Sequence, residues 1–226
     1  LLASSRQINF LEQPKIEAGW NYGISFTQKF YLLNREGSVS VDFFRTDFQK
    51  QVIVDIDNAD NAATISNLHG KSFSNSLLIE FNYELLKGLD VKAAYRLEDV
   101  RSTYHGVLMQ KPLQALNKGL IALSYKTPNQ QWQFDVNMSI NGKRRLPNSF
   151  AGDAGKHYSK RYILLNAQIL KYFKNAELFV GVENMTNYRQ KNPILGMPNT
   201  NYFDTYQVYA PLMGATVYGG FRVFIH

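Results

Sequence analysis

The chain of 226 residues contains no cysteine, which excludes a disulfide framework and any metal site built on thiolates. It has no run approaching the roughly 18 consecutive apolar residues that a transmembrane helix needs. Apolar residues at helical spacing are nearly absent as well. The sequence also lacks a nucleophile elbow, a phosphate loop and a glycine-rich dinucleotide fingerprint. Because no set of residues forms a catalytic constellation, we predict that the protein is not an enzyme and has no catalytic residues.

Concentrated charge is missing too. The net charge is +7, but the basic residues are scattered, and their longest run is Lys143-Arg144-Arg145. A nucleic-acid-binding protein usually gathers its basic residues on one face or stripe, so no nucleic-acid partner is expected. The chain starts at Leu1 without a methionine or a signal peptide, which suggests a fragment or a processed product.

What the sequence has in abundance is alternation. In Trp132–Asn141 every second residue is apolar and the residues between are polar. Side chains of a strand point to opposite faces in turn, so such a segment predicts a strand with one apolar and one polar face. Residues 1–14 have no clear assignment. Similar segments predict about nine strands, at residues 15–30, 38–54, 67–84, 89–104, 116–126, 131–142, 159–173, 176–186 and 214–225.

The connections between these strands alternate in length. Short turns are predicted near residues 34–37, 87–88, 128–130 and 174–176, and long links near 55–66, 105–115, 143–158 and 187–213. In an up-and-down antiparallel sheet this order places all the short turns at one end and all the long loops at the other. Outer-membrane barrels have this asymmetry, with short periplasmic turns and longer extracellular loops.

The apolar face could contact either lipid or a protein core, and three features favour lipid. Several strands reach 15 residues, which is long for a globular protein. Charges avoid the apolar face, and Asp135 lies on the polar one. Tyrosine and tryptophan occur near strand ends, where an interfacial girdle would place them: Trp20, Tyr22, Tyr104, Trp132, Tyr158 and Tyr162. Alternation alone fits a soluble β-sandwich or a lipocalin-like barrel equally well.

Five segments, in order along nearly the whole chain, resemble the C-terminal part of a TonB-dependent outer-membrane receptor of the Bacteroidetes type. They are IEAGWNYGISF (16–26), VDFFRTDFQKQVIVDID (41–57), HGKSFSNSLLIEFNYELLKGLDVKAAYR (69–96), VGVENMTNYRQKNPI (180–194) and GATVYGGFRVFI (214–225). The spacing of Pro14 and Glu17 departs from the family's usual strand entry, and the chain does not end in an aromatic residue.

The resemblance implies an all-β fold, an antiparallel up-and-down transmembrane β-barrel of 22 strands. Residues 1–226 would be about nine C-terminal strands, without the plug domain and the N-terminal strands. It implies energy-dependent uptake of a scarce ligand such as a siderophore, cobalamin or a metal chelate. The partners would be the TonB complex, acting through the absent plug, and the lipid and lipopolysaccharide of the outer membrane. Two alternatives remain open: a passive porin or structural barrel, and a soluble β-sandwich that binds a ligand.

Candidate ligand contacts lie in the predicted long loops. Aromatic, amide and charged side chains there suit a bulky polar ligand at a barrel mouth. Lys143-Arg144-Arg145, Lys160 and Arg161 also suit anionic ligands or lipopolysaccharide phosphates. No cofactor and no metal site are expected, although the acidic stretch at 55–61 leaves a loop calcium site open. The predicted ligand-binding residues are Tyr158, Arg161, Arg189, Asn192, Asn201, Tyr202, Asp204 and Tyr206.

Overall fold

The computed structural model describes residues 7–57, 62–147, 158–191, 193 and 208–224. This part of the chain contains thirteen strands, and none of its segments is helical. It therefore holds no helix with the length and apolar character to cross a membrane. The strands are β1 (Gln7–Phe10), β2 (Ala18–Leu32), β3 (Arg35–Lys50), β4 (Val52–Asp55), β5 (Ala62–Asn67), β6 (Ser72–Leu86), β7 (Leu89–Tyr104), β8 (Val107–Gln110), β9 (Asn117–Lys126), β10 (Trp132–Asn141), β11 (Tyr162–Tyr172), β12 (Ala176–Glu183) and β13 (Thr216–Val223).

Nine of these strands form one antiparallel meander in the order β2-β3-β6-β7-β9-β10-β11-β12-β13, with β8 folded back onto β7. They coincide, within a few residues, with the nine strands that alternation predicts. The all-β antiparallel class is thereby confirmed. Within the described residues, the outer strands β2 and β13 have a neighbour on one side only.

The register of the strands pairs apolar residues with apolar residues and polar residues with polar residues on neighbouring strands. Phe134 lies opposite Tyr125 on one side and Ile169 on the other. Its neighbour Asp135 lies opposite Ser124 and Gln168. Because directly opposed residues project to the same face, apolar residues gather on one face and polar residues on the other.

The polar face is concave. Side chains from distant strands, including Lys29 of β2, Asp90 of β7, Asn137 of β10 and Tyr218 of β13, line one shared space of about 700 Å³. This is possible only if the sheet curls around its polar side. The apolar face is therefore convex, and its large side chains remain open to the surroundings: Ile24 is 70% exposed and Phe221 is 77% exposed.

The short turns all lie at one end of the sheet and the long connections at the other, as predicted. Leu33 and Asn34 form the β2–β3 turn with positive φ angles of 50° and 60°. Two successive residues of this kind define a type I′ turn, whose twist matches that of a hairpin. The sequence places this turn at residues 34–37, but Arg35 already begins β3. The prediction is therefore displaced by about two residues.

The long connections hold structure that the sequence does not predict. The strand predicted at 38–54 breaks after Lys50, and β4 continues in a separate sheet. The link predicted at 55–66 contains β5, and the unassigned N-terminal segment contains β1, which pairs with β5 in parallel. These three strands form a small sheet in the order β1-β5-β4 at the long-loop end.

Two residues of the predicted girdle do not belong to it. Tyr104 and Tyr162 are 4% and 7% exposed, so neither ring faces the surroundings of the convex side. Both pack beneath the long connections, where a ring close to a strand end is covered by the adjoining loop. Trp20, Tyr22 and Trp132 lie on the convex face in register with its apolar residues and are open.

Candidate functional site

Three ion pairs lie along the concave wall. Lys92 Nζ lies 2.7 Å from Glu80 Oε1, across the β6–β7 pair. Arg96 Nη2 lies 3.1 Å from Glu98 Oε1, and Arg222 Nη1 lies 2.6 Å from Glu177 Oε1. The wall is thus polar without a strong net field along these pairs.

Neutral hydrogen bonds continue the wall between the ion pairs. The Tyr172 hydroxyl donates to Gln133 Oε1 at 2.8 Å, and the Tyr218 hydroxyl donates to Gln168 Oε1 at the same distance. Asp135 accepts from the Ser124 hydroxyl at 2.6 Å. Cross-strand bonds of this kind hold the side chains against the sheet and leave the concave space open to solvent.

An aromatic cluster lies where the concave wall meets the long loops. The rings of Tyr162 and Tyr188 stack with centroids 4.9 Å apart and planes 14° apart. The Tyr162 hydroxyl donates to the Tyr209 carbonyl oxygen at 3.1 Å. Arg144 Nη2 donates to that same hydroxyl at 3.4 Å, while its buried Nε has no hydrogen-bond partner. Burial, and then the neighbouring tyrosines, raise the pKa of Tyr209, so its phenol stays neutral. We call Arg144, Tyr162, Tyr188 and Tyr209 the tyrosine cluster.

The segment Glu183–Asn187 fixes this cluster in place. Asn184 adopts a positive φ of 51° and is nearly buried. Its side-chain Nδ2 donates to the backbone carbonyl oxygens of Tyr188 at 2.8 Å and Met213 at 3.1 Å. Asn187 has a φ of 50°, and its side-chain oxygen accepts from the Ala215 backbone at 3.1 Å. Asparagine tolerates this left-handed backbone and bonds locally, so this segment ties β12 to the start of β13.

A buried ion pair joins the long connections to one another. Arg145 donates through Nη1 and Nη2 to the two carboxylate oxygens of Asp57, at 2.9 Å and 2.8 Å. The two side chains are only 8% and 4% exposed. Arg145 Nε also donates to the Gln110 carbonyl oxygen at 2.6 Å. The β4–β5 connection, the end of β8 and the β10–β11 connection therefore meet at one guanidinium.

The acidic stretch at 55–61 uses its described carboxylates inside the protein. Asp55 Oδ2 lies 2.6 Å from His105 Nε2, and Asp55 Oδ1 accepts from the Asp57 backbone at 2.8 Å. Both Asp55 and Asp57 are thus engaged by side chains of other connections. Among the described residues, no three acidic, histidine or cysteine side chains gather as a metal site would require. Residues 58–61 lie outside the described part, so the loop calcium site stays a prediction.

The structure describes three of the eight predicted ligand-binding residues. Tyr158 is 51% exposed and bridges the Arg145 backbone. Arg161 is exposed just before β11, and Arg189 is exposed and donates to Asn187 Oδ1 at 3.4 Å. All three lie at the long-loop end. Their role as ligand contacts stays a prediction. Asn192, Asn201, Tyr202, Asp204 and Tyr206 lie outside the described residues.

Sequence reasoning missed the tyrosine cluster and the buried pair as units. Tyr162 was expected in a girdle, and the Arg144-Arg145 run suggested exposed charge. No local signal relates Arg145 to Asp57, which is 88 positions away. The alternation does place Tyr162 on the polar face, opposite Asn141, and that was the one signal available.

These features define a class: part of the wall of a large antiparallel β-barrel with a polar interior and long loops at one end. A family model described as TonB dependent receptor-like, beta-barrel, matches residues 5–185, and the chain belongs to that family. Its members are outer-membrane transporters of Gram-negative bacteria rather than enzymes. No curated protein sequence matches the chain.

Solved structures of receptors have the same fold. The FrpB iron transporter of Neisseria meningitidis aligns over 96% of this chain and 32% of its own, with a TM-score of 0.62 and 14% identity. A mutant of the ferric enterobactin receptor PfeA of Pseudomonas aeruginosa aligns over 92% and 31%, with a TM-score of 0.59 and 14% identity. The ferric-catecholate import receptor Fiu of E. coli K12 aligns over 75% and 24%, with a TM-score of 0.54 and 14% identity. The chain thus spans a quarter to a third of the length of these proteins.

Proposed function

We propose that this chain forms part of the barrel wall of an outer-membrane receptor that imports a scarce ligand with energy from TonB. The observation that carries the proposal is the curl of nine antiparallel strands around a polar, hydrogen-bonded wall, with an apolar convex face. Family membership supports it. Siderophores, cobalamin and metal chelates are the proposed ligand classes, and the iron compounds named for FrpB, PfeA and Fiu favour ferric chelates among them.

The convex face is proposed to lie in lipid. On β10 its apolar residues run from Trp132 to Ile140. Nine residues extend about 27 Å along a strand. At a tilt of about 40° they cover roughly 20 Å of bilayer, near the ~25 Å apolar band of such barrels. Toward the long loops the convex face becomes polar, with Arg45 Nη2 2.7 Å from Asp47 Oδ1 and the Tyr22 hydroxyl donating to Asp47 Oδ2. That change fits a bilayer boundary.

The finer assignment follows the resemblance of the sequence. Residues 1–226 are proposed to be the C-terminal portion of a 22-stranded barrel of the Bacteroidetes type. A plug domain would occupy the concave space and link the barrel to the TonB complex. The long loops would then be extracellular, with Lys143, Lys160 and Arg161 placed to meet lipopolysaccharide phosphates.

Ligand contact is proposed for the tyrosine cluster together with Tyr158, Arg161 and Arg189. Arg144 is partly exposed beside stacked phenol rings, and the other three side chains are exposed at the same end of the sheet. A guanidinium beside neutral aromatic rings suits an anionic, aromatic-rich chelate. Asn192, Asn201, Tyr202, Asp204 and Tyr206, which lie outside the described residues, complete the proposed set.

The lipid assignment is tested with two adjacent substitutions in the complete protein. Val136→Arg places a charge on the convex face, whereas Asn137→Arg places it on the concave wall. An arginine at mid-bilayer costs about 2–4 kcal/mol, so Val136→Arg should sharply reduce assembled receptor in the outer membrane, and Asn137→Arg should not. Heat-modifiable mobility of the membrane fraction measures assembly. Equal tolerance of the two changes would remove the lipid assignment.

The transport assignment needs a separate experiment. A strain lacking the receptor gene, complemented with the complete gene, should take up ⁵⁵Fe-labelled chelates only when TonB is active. The same strain without functional TonB is the control. Uptake that continues without TonB would indicate a passive porin instead.

A further inference from the structure

One cation lies on the part of the convex face that β9 to β13 form. On β9 to β13, all of which the structure describes, Lys171 is the only charged residue in register with the apolar side chains. It lies opposite Trp132 on β10 and Leu178 on β12, and it is the last residue of β11 that faces the convex side. The lysine therefore sits where the apolar band ends on the short-turn side.

Aromatic rings surround the ammonium group. Lys171 Nζ lies 4.4 Å from the ring centroid of Trp132 and 6.0 Å from that of Phe173. The aromatic row continues from Trp132 to Phe134 and Tyr125, with centroids 6.4 Å apart at each step. Trp132 is 39% exposed and Phe173 is 56% exposed, so the rings remain open to a molecule lying against the sheet.

The ammonium group has donors to spare. Lys171 Nζ donates to Gln131 Oε1 at 3.0 Å, which uses one of its three hydrogens. The ring faces attract the charge but do not neutralise it. Within the described residues, no carboxylate forms an ion pair with Lys171. An anionic oxygen at this level of the sheet would meet an unneutralised cation framed by apolar rings.

We infer that Lys171, Trp132 and Phe173 form a binding site for the phosphate of a glycerophospholipid headgroup in the leaflet at the short-turn end. The charge is complementary, since the phosphate of such a lipid lies at the boundary between the apolar band and water. The open rings receive the glycerol and upper acyl carbons, while the free ammonium hydrogens meet the phosphate oxygens. This inference rests on the proposed membrane location of the convex face.

The test uses the complete receptor purified in detergent and titrated with palmitoyl-oleoyl phosphatidylglycerol. Native mass spectrometry counts the lipids retained. A lysine near an anionic lipid surface contributes about 1 kcal/mol, so Lys171→Gln should weaken retention about fivefold. Lys171→Arg should retain the lipid. Lys126→Gln is the matched control, because Lys126 lies 5.0 Å from the Tyr172 ring on the concave side.

Three outcomes would overturn the site: unchanged retention in Lys171→Gln, an equal loss in Lys126→Gln, or displacement of the lipid by inorganic phosphate at the same concentration. A spin label at Val136→Cys separates this result from the proposed function. If oxygen reaches the label better than a water-soluble nickel chelate does, the convex face is in lipid. A negative result with Lys171→Gln then refutes the headgroup site alone. If the chelate reaches the label better, both proposals are wrong.

Discussion

At the scale of single residues, the long-loop end depends on a charge pair removed from water. Each partner of the Arg145–Asp57 pair would be costly alone, because a buried charge without its partner keeps its desolvation cost and loses the attraction that offsets it. Exposed pairs such as Arg101–Asp99, with Arg101 46% exposed, contribute little because water and salt screen them. Distance alone does not separate the two cases, since the bonds measure 2.8 Å and 2.9 Å.

Removing one charge of the buried pair should open the long-loop end. Arg145→Met leaves Asp57 buried without this guanidinium and should lower the local opening free energy by about 3–5 kcal/mol. Hydrogen–deuterium exchange over β4 and β5 in the complete protein measures that opening. Arg101→Met is the exposed control and should change the exchange by about 0–1 kcal/mol.

A double variant separates the charge effect from the loss of packing. Arg145→Met combined with Asp57→Leu removes both charges and should recover much of the lost protection, because neither charge remains to be solvated. If the double variant is as unprotected as Arg145→Met, packing of the arginine rather than pairing stabilises the region.

At the scale of elements, the period of two predicted the nine strands of the main sheet because each has one polar and one apolar face. The same signal failed for β1, β4, β5 and β8. Three of these have four residues and β5 has six, too few for a period to emerge. The pairing of β1 is decided by which distant segment lies alongside, as Gln7 beside Ala62 illustrates, whereas β8 folds back onto β7 through the two-residue turn His105-Gly106. The tyrosine cluster was unpredictable for the same reason, since the loops that unite it are far apart in sequence.

The β2–β3 hairpin should gain stability from a better turn sequence. Leu33 occupies a left-handed conformation that costs a branched apolar residue about 1–2 kcal/mol. The paired change Leu33→Asn and Asn34→Gly supplies the residues that type I′ turns favour, and should stabilise the protein by about 1 kcal/mol. The urea midpoint of the folded barrel in detergent measures it.

The β9–β10 connection provides the contrast. Only Gln130 has a positive φ there, and the Asn129 side chain accepts hydrogen bonds from Thr127 and Gln131. Pro128→Asn with Asn129→Gly should therefore be neutral or destabilising. A comparable gain at both turns would show that the φ angles of Leu33 and Asn34 are not the cause.

At the scale of the whole molecule, the alternation of short and long connections assigns every connection to one of two sides. The meander reverses direction at each strand, so the β2–β3, β6–β7, β9–β10 and β11–β12 turns share one end. The small β1-β5-β4 sheet, the buried pair and the tyrosine cluster all occupy the other end. Loop lengths in the sequence predicted this difference between the two ends of the sheet, but they did not predict how much structure the long connections contain.

The proposed orientation of the two ends across the membrane is testable in intact cells with two lysines. Lys160 is exposed at the long-loop end, and Lys174 is exposed in the β11–β12 turn. In the complete protein, a membrane-impermeant maleimide should label Lys160→Cys from outside and should label Lys174→Cys only after the outer membrane is permeabilised. Labelling of both sites without permeabilisation would contradict the proposed orientation.

The paired charges of the concave wall have a mechanical consequence. A body seated against fixed, uncompensated charges must break ionic contacts each time it shifts. Lys92, Arg96 and Arg222 already have carboxylate neighbours within the wall, so a domain or solute moving past them exchanges hydrogen bonds with water at little net change in free energy. At these three positions the wall therefore would not hold a neighbouring domain or solute in one place by ionic contacts.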